Sequence, residues 1–147
     1  MQILPASLRD LGSLRALEQA CFPEDVWPLL DLIGILTYTR VVRLKRIDDG
    51  RMVGFVAGDP NHADGHAWIA TIGVLPEFQR RGIGRALLQA CELKLTTEKI
   101  RLCVRPANIA AIRLYESEGY QHIDLWHKYY KDGGDALVME KPRRFVA

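Results

Sequence analysis

The sequence predicts a mixed α/β fold in which a mainly antiparallel sheet is flanked by helices. Apolar runs of strand length alternate with segments of helical periodicity along the whole chain of 147 residues. A turn signal, Asp49-Gly50, joins two strand-like runs as a hairpin. No repeat, low-complexity segment or Pro/Gly/Ser-rich linker interrupts the pattern, so residues 1–147 are expected to form one domain.

In the first half of the chain, two helices are expected between a short strand and a hairpin. Ser7 is a suitable N-cap for a helix whose apolar residues recur every three positions as far as Leu17. Two prolines, Pro23 and Pro28, separate this helix from a second one that runs to about Leu36. The expected strands are residues 3–4 before the helices and residues 41–47 and 52–57 after them.

In the second half of the chain, strands and helices are expected to alternate. Residues 67–75 are too continuously apolar for a half-exposed strand and predict a central one. Residues 82–97 predict a helix that is buried on most of its circumference, and Asn108 is expected to cap another helix that stops at Gly119. The remaining expected strands are residues 100–104, 120–126 and 135–139, the last two joined by a turn at 131–134.

Composition and charge exclude several classes of protein. The chain is 48% hydrophobic and 26% charged, which is typical of a folded globular protein and not of a disordered one. Its 20 basic and 18 acidic residues give a net charge of +2. This small net charge gives no reason to expect a nucleic-acid or membrane partner.

Cysteine and histidine usage predicts neither a disulfide framework nor a metal site. The three cysteines, Cys21, Cys91 and Cys103, have no paired spacing. The four histidines also lack a metal-ligand partner at a usable spacing. Because the sequence has no signal-peptide pattern and no apolar run near the ~20 residues of a membrane span, a reduced, cytoplasmic protein is expected.

The segment 72–86 carries the strongest functional signal, because a buried strand there passes through a glycine-containing turn into a helix. A helix start has unpaired N–H groups and a partial positive charge, and glycine lets the backbone approach a ligand closely. Arg80, Arg81 and Arg85 lie at the same turn, which suits a doubly charged pyrophosphate. The segment lacks the first glycine of a dinucleotide-binding motif and the Lys-Ser/Thr pair of a P-loop. Taken alone, the turn is equally compatible with a structural loop that carries solvated arginines.

Residues Gln79-Arg80-Arg81-Gly82-Ile83-Gly84 match in full the Q/R-x-x-G-x-G/A signature of the GNAT superfamily of acetyltransferases, which the chain resembles. The resemblance implies a sheet splayed between its fourth and fifth strands, where the cosubstrate acetyl-CoA inserts its pantetheine arm. It implies that the strand residues Ile72, Gly73 and Val74 hydrogen-bond that arm and the thioester. The residues implied to hold the CoA pyrophosphate are Gln79, Arg80, Arg81, Gly82, Ile83, Gly84 and Arg85.

A second signature lies in residues 104–120, which resemble the N-x-x-A-x-x-L-Y-x-x-x-G-F/Y motif of the same superfamily. By this resemblance, Asn108 contacts the pantetheine region of the cosubstrate. Tyr115 stands near the CoA sulfur, where it is expected to act as the catalytic acid for the departing thiolate. Read alone, Asn108 would be a helix cap and Tyr115 an aromatic residue of the core.

Within the superfamily, the chain is most similar to bacterial ribosomal-protein alanine N-acetyltransferases, which acetylate protein N-termini. Phe22 and Pro23 follow the first helix as in those enzymes, and Tyr129 and Tyr130 begin a stretch that resembles their Y-Y-x-x-G-x-D-A. These four residues are therefore expected to bind the acceptor, a protein or peptide N-terminal amine that attacks the thioester directly. A small-molecule amine acceptor and a catalytically silent CoA-binding module remain alternatives.

One departure from those relatives concerns the general base. They carry glutamate in L-E-V-R on the fifth strand, whereas Cys103 stands at that position here. Each histidine is expected to lie on the surface or in a loop; His66, at the entry of the central strand, is the best candidate for a base acting through water. The basic run 141–144 is expected to be a solvated tail, or alternatively to steer CoA phosphates or an acidic peptide.

Overall fold

A computed structural model describes residues 2–60 and 65–142 of the chain. Its strands are β1 (Ile3–Pro5), β2 (Val42–Asp48), β3 (Arg51–Asp59), β4 (Ala67–Val74), β5 (Lys99–Val104), β6 (Gln121–Trp126) and β7 (Ala136–Pro142). Its helices are α1 (Leu11–Cys21), α2 (Leu29–Thr37), α3 (Ile83–Glu92) and α4 (Ile109–Ser117), with short 3-10 segments at Leu8–Asp10 and Pro76–Phe78. The predicted order of strands and helices is confirmed. Within the described ranges, no helix has the length and apolarity that a membrane crossing requires.

The strands form one seven-stranded sheet in the order β1-β2-β3-β4-β5-β7-β6. Neighbouring strands are antiparallel except for β4 and β5, which are parallel. Asp49 and Gly50 have φ values of 50° and 74°, which is the left-handed backbone that a tight hairpin between β2 and β3 requires. The predicted mixed, mainly antiparallel sheet is therefore confirmed.

Helices cover both faces of this sheet. A Cβ atom added to Gly54 of β3 would lie 2.8 Å from Leu87 of α3. The next residue, Phe55, pairs with Gly73 of β4, where an added Cβ would lie 3.2 Å from Leu17 of α1. Since successive strand residues point to opposite faces, α3 packs on one face and α1 on the other. Glycine at these two positions lets each helix approach the strands closely.

The strands β4 and β5 diverge after two paired positions. The pairs are Ala67 with Ile100 and Trp68 with Arg101. Beyond them, β4 continues to Val74, while β5 pairs only with β7 on its other side. The edge of β4 that faces β5 is therefore open over residues 69–74, and an open edge presents backbone N–H and C=O groups to a ligand. The predicted splay between the fourth and fifth strands is confirmed.

Two predicted boundaries are wrong. The helix expected over residues 82–97 ends at Glu92. The hydroxyl of Thr97 accepts a hydrogen bond from the amide of Ala67 at 3.1 Å and donates to the carbonyl of Lys99 at 3.0 Å, so this segment is fastened to β4 and β5 instead. The last strand, expected to end at residue 139, continues to Pro142.

The expectation of a solvated basic tail is wrong for Lys141. This residue lies in β7 and is only 7% exposed. Its ammonium donates to the carboxylate of Glu92 at 2.9 Å and to the carbonyl of Glu118 at 2.9 Å. A lysine is buried in a protein when its charge is paired in this way. Arg143 and Arg144 of the same run, and His62, lie outside the described residues.

Candidate active site

The gap between β4 and β5 contains a cavity of about 140 Å³, here called the inner cavity. Its walls come from both strands, from the α1–α2 loop, from α4 and from the β6–β7 loop. The predicted site residues that line it are Phe22, Ile72, Asn108, Tyr115 and Tyr130. The fold thus brings together residues that lie far apart in the sequence, around the open edge of β4.

At the end of β4, side chains fix the turn that leads to α3. The carbonyl oxygen of Val74 accepts a hydrogen bond from Nε2 of Gln79 at 3.0 Å and one from Sγ of Cys21 at 3.3 Å. The side chain of Gln79 is therefore folded back onto the strand. Gly73 packs so closely against α1 that a Cβ atom there would press on Leu17, Phe22 and Cys21. These contacts fix the position of the last residues of β4 relative to the start of α3.

The start of α3 exposes backbone amides. Arg80 and Gly82 have φ values of 63° and 79°, so the chain turns sharply before the helix. The amide of Ala86 is the first to bond within the helix, to the carbonyl of Gly82 at 3.0 Å. The amides of residues 83–85 precede it and have no carbonyl four residues earlier in the helix. The side chain of Ile83 is buried, so its backbone alone is available to an anion at this helix start.

Two of the three arginines at this turn, Arg81 and Arg85, are held by protein partners. Arg85 pairs with the carboxylate of Glu118 at 2.6 Å, and Gln89 donates to the same carboxylate at 2.8 Å. Arg81 donates to the carbonyl of Glu77 at 3.2 Å, and its guanidinium lies 5.0 Å from the centre of the Phe78 ring. The turn therefore offers an anion mainly its backbone amides, with positive side chains close by.

The two predicted residues of α4 are positioned by that helix. Asn108 caps it, because its Oδ1 accepts a hydrogen bond from the amide of Ala111 at 3.3 Å. Tyr115 is 7% exposed and makes an edge-to-face contact with Tyr120, with ring centres 5.9 Å apart. Burial raises the pKa of the Tyr115 hydroxyl above its usual value, so the hydroxyl is protonated at neutral pH. Each side chain has a structural role and also lines the inner cavity.

A larger cavity of about 810 Å³, here called the outer cavity, adjoins the inner one. The two cavities meet at the residues that line both, which are Asp25, Trp27, Ile69, Ala70, Cys103 and Tyr130. Much of the rest of the wall of the outer cavity comes from α2, the start of β4 and the β6–β7 loop, and includes Tyr129. A chain of tilted aromatic rings follows this wall, in which Trp68–Trp126 and Trp126–Tyr129 have ring centres 5.6 Å apart.

Arg105 joins the two loops that enclose the cavities. Its guanidinium makes two hydrogen bonds of 2.6 and 2.7 Å to the carboxylate of Asp25 in the α1–α2 loop. It also donates to Asp132 of the β6–β7 loop at 3.2 Å and lies 4.1 Å from the centre of the Tyr130 ring. Paired, planar hydrogen bonds of this kind fix geometry as well as contributing energy. Arg105 thus sets the distance between the loops that carry Phe22 and Tyr130.

Cys103 lies where the two cavities meet, at the position of the missing glutamate. Burial raises the pKa of its thiol to about 11, although a hydrogen bond from Tyr129 opposes this shift. At neutral pH the side chain is therefore a protonated thiol, which is neither a base nor a good nucleophile. Cys103 in this environment therefore does not replace the carboxylate base of the relatives.

Beneath the inner cavity lies a buried carboxyl group that the sequence analysis missed. Glu18 of α1 is fully buried, and its Oε1 accepts a hydrogen bond from the hydroxyl of Thr71 in β4 at 2.9 Å. Its other oxygen, Oε2, is buried without a hydrogen-bond partner within the described part of the protein. Burial raises the pKa of Glu18 to about 7, and the bond from Thr71 opposes this rise. A sequence signal exists, since Glu18 follows Leu17 within the apolar stripe of α1.

We predict that Glu18→Gln stabilises the protein at neutral pH. The rise from the ordinary pKa of 4.5 to about 7 corresponds to about 3 kcal/mol. Because the pKa is raised in the folded state, the wild-type free energy of unfolding loses this contribution as the pH rises from about 4.5 to about 7. The amide of Glu18→Gln does not ionise. The free energy of unfolding of the variant minus that of wild type should therefore be up to about 3 kcal/mol larger at pH 7.5 than at pH 4.5.

Urea unfolding at both pH values measures this difference. Glu24→Gln is the matched control, because it removes one carboxylate from an exposed residue of the next loop. Equal pH dependence of wild type and Glu18→Gln would contradict the prediction.

Comparison with known proteins identifies the family. Residues 12–120 match the model of the Acetyltransferase (GNAT) family. The chain belongs to the GNAT family. It is 32% identical to the N-terminal acetyltransferase A complex catalytic subunit NAA10 of Arabidopsis thaliana, over 92% of this chain and 74% of that protein. It is 37% identical to the [ribosomal protein bS18]-alanine N-acetyltransferase of Salmonella typhimurium, over 70% of this chain and 72% of that protein.

The fold of this GNAT chain is also that of a solved relative. The crystal structure of the ribosomal-protein-S18-alanine N-acetyltransferase from Escherichia coli superimposes with a TM-score of 0.85 at 29% identity, over 99% of this chain and 96% of that one. The resemblance inferred from the glycine-rich turn and the second signature is therefore confirmed. As a GNAT member, the chain is an acetyl-CoA-dependent N-acetyltransferase.

Neither cavity of the GNAT fold described here is lined by Gly73, Val74 or residues 79–85, which form the end of β4 and the turn into α3, or by Pro23 and His66. Pro23 lies on the exposed part of the α1–α2 loop, next to Phe22, which does line the inner cavity. His66 precedes β4 at the end where β4 and β5 are still paired. The closed end of the splay therefore separates His66 from the open edge of β4.

Proposed function

We propose that this chain acetylates the α-amino group of protein or peptide N-termini, with acetyl-CoA as the donor. The observation that carries the proposal is the meeting of the two cavities at Cys103, beside the open edge of β4. The inner cavity suits the thioester of the donor, and the outer cavity suits an extended acceptor. The activities of the relatives support this assignment, because the enzyme from Salmonella typhimurium is named for the N-acetylation of an alanine of a ribosomal protein.

The donor fits the inner cavity and the start of α3. Ile72, Gly73 and Val74 lie on the part of β4 that has no partner in β5, so we propose that this edge binds the amides of a pantetheine arm, although the carbonyl of Val74 already accepts bonds from Gln79 and Cys21. The amides of residues 83–85 suit the pyrophosphate, and Asn108 lines the inner cavity, where it suits the pantetheine arm. In this proposal, Gln79 acts indirectly by holding the turn, because its side chain bonds Val74.

The acceptor is proposed to enter through the outer cavity. Tyr129 and Tyr130 line it, whereas Phe22 lines the adjoining inner cavity and Pro23 follows Phe22 on the exposed part of the α1–α2 loop. Arg105 holds the two loops at a fixed separation, which limits the entropy lost when a peptide binds. The amine then meets the thioester at the junction of the cavities, where positioning supplies much of the catalysis.

Tyr115 is proposed as the acid that protonates the departing sulfur. It lines the inner cavity, and burial keeps its hydroxyl protonated at neutral pH. We also propose that the enzyme acts in the cytoplasm, because Cys21, Cys91 and Cys103 are all free thiols.

We predict that the enzyme prefers an N-terminal amine to a lysine side chain. An α-amino group has a pKa near 7.7–8.0 and a lysine side chain one near 10.4, so far more of the former is free base at neutral pH. The experiment uses a peptide with one free N-terminus and one internal lysine, and fragment mass spectrometry locates the acetyl group. The matched control is the same peptide with a blocked N-terminus.

Modification of the N-terminus of the first peptide and none of the second is the expected result. Acetylation mainly on lysine, or equal rates for the two peptides, would overturn the N-terminal assignment. Turnover of small primary amines with no reaction of either peptide would identify a small-molecule acceptor instead.

A further inference from the structure

We infer that Glu18, acting through the hydroxyl of Thr71, accepts the proton that the attacking amine loses. The inference rests on the proposed function and supplies the base that Cys103 does not provide. In this arrangement, Thr71 contacts the amine, and Glu18 takes up the proton from the Thr71 hydroxyl without contacting the amine itself.

The geometry places one hydroxyl between the cavity and the carboxylate. Thr71 lines the inner cavity, one residue before the proposed thioester-binding residue Ile72. Its hydroxyl donates to Oε1 of Glu18 at 2.9 Å. A hydroxyl has one proton and two acceptor lone pairs, so Thr71 can accept an N–H bond from the cavity while it donates to Glu18. A proton can therefore leave the cavity although Glu18 itself does not line it.

The carboxyl group is suited to this role by its surroundings. Glu18 is fully buried on α1, as are Leu14 and Leu17, and its pKa of about 7 lies in the range where a general base is most effective. Its Oε2 has no hydrogen-bond partner in the described residues, so the carboxylate is not neutralised by a cation there. A buried carboxylate held only by one hydroxyl has a strong tendency to take up a proton.

Other ionisable groups lie on the elements that pack against α1. Cys21 lies on α1 itself, and burial, together with the charge of Glu18, raises the pKa of its thiol to about 11. The charged residues on these elements also include Arg15 of α1, Asp31 of α2, and Arg51 and Asp59 of β3. Asp10, just before α1, is paired with Lys45 at 2.8 Å. The pKa shift of Glu18 arises from burial and from Thr71.

The proton balance of the step is complete. The amine nitrogen forms a bond to the acetyl carbon, and the carbon–sulfur bond of the thioester breaks. The N–H proton moves to Oγ1 of Thr71 as the hydroxyl proton moves to Oε1 of Glu18. The sulfur leaves as a thiolate and takes the proton of Tyr115. After the products leave, Glu18 loses its proton and Tyr115 regains one by exchange with water.

The pH dependence of kcat/KM for the peptide, at saturating acetyl-CoA, tests the inference. The reaction then needs both a neutral amine and an ionised Glu18, so the logarithm of kcat/KM should rise with a slope of about 2 below about pH 6. Glu18→Gln keeps an acceptor for the Thr71 hydroxyl but does not titrate. Its slope should be about 1, and its kcat/KM at pH 7.5 should fall by about 10²-fold or more.

A pair of substitutions at Thr71 separates the relay from a purely structural role. Thr71→Ser keeps the hydroxyl and should keep the slope of about 2, whereas Thr71→Val keeps the shape and should lower the slope to about 1. Native circular dichroism and unchanged acetyl-CoA affinity in calorimetry establish that each variant folds. If Glu18→Gln fails to fold, the pH slopes of log kcat/KM for wild type and for the two Thr71 variants still decide whether the proton passes through Thr71.

A slope of about 1 for log kcat/KM against pH in the wild-type protein would overturn the inference. A slope of about 2 that is retained in Glu18→Gln or Thr71→Val would also overturn it. These results differ from a failure of the proposed function. Wild-type protein that acetylates a small primary amine and no peptide would overturn the proposed acceptor, and the slopes measured with that amine would then decide the role of Glu18. Wild-type protein that acetylates neither would overturn both.

Discussion

Tyr115→Phe should lower kcat by roughly 10²- to 10⁴-fold, the loss typical of removing a general acid. The substitution keeps the ring and its edge-to-face contact with Tyr120, and it removes the proton proposed for the leaving sulfur. Acetyl-CoA affinity should therefore change little. Single-turnover kinetics of N-terminal peptide acetylation, under conditions where chemistry is rate-limiting, provide the measurement.

The neighbouring ring offers the matched control for this substitution. Tyr120→Phe makes the same chemical change 5.9 Å away, and it removes a hydroxyl that donates to Glu92 at 2.7 Å. It should affect stability more than kcat. Near-normal kcat in Tyr115→Phe, or equal losses of kcat in both variants, would leave Tyr115 as a packing residue of the core.

Replacing Gly82 and Gly84 together with valine should lower acetyl-CoA affinity by at least about 100-fold. Gly82 has a φ of 79°, which valine adopts only with strain, so the turn should move. A Cβ atom at Gly84 would contact Leu114 and Val74 at 3.5 and 3.7 Å, so the larger side chain would fill the space between α3, α4 and β4. Loss of two or three hydrogen bonds to a charged ligand, at about 1.5–3 kcal/mol each, accounts for this effect.

Isothermal titration calorimetry with acetyl-CoA measures the loss, and circular dichroism checks the fold. Gly50→Val is the matched control, because Gly50 has a similar φ of 74° and open space around its Cβ position but lies in the β2–β3 turn. It should cost stability without changing acetyl-CoA affinity. Native affinity in the double variant would remove the start of α3 from the binding site.

The Glu18–Thr71 pair carries opposite consequences for stability and for catalysis. Ionisation of a fully buried carboxyl group destabilises the folded protein, so Glu18→Gln is expected to be more stable at neutral pH. The same substitution is expected to slow acetylation, because the amide cannot take up the proton. A stability cost retained at a catalytic position is a common feature of enzymes. Measuring both properties in one variant distinguishes a functional carboxylate from a structural one.

Local sequence patterns determined the order of the strands and helices. They also determined the position of the glycine-containing turn before α3, which suits a phosphate group. The Asp49-Gly50 hairpin, the stop of α4 before Gly119 and the turn before α3 each depend on backbone preferences of a few adjacent residues. For the same reason, the two GNAT motifs could be read without a structure, because each lies within one strand–turn–helix or helix–turn segment. The sequence also identified the missing glutamate, since Cys103 stands inside a short motif.

Only the tertiary structure decided which charged side chains are buried and what they contact. Thr71 bonds Glu18 across 53 residues of sequence, and Arg105 bonds Asp25 across 80. Lys141, expected to be solvated, is buried against Glu92 of α3, 49 residues earlier. Local periodicity gives the face on which a residue lies but not the partner that another element brings to it. The environment that sets the pKa of Glu18 therefore exists only after the chain has packed. The same is true of the spacing between the α1–α2 loop and the β6–β7 loop.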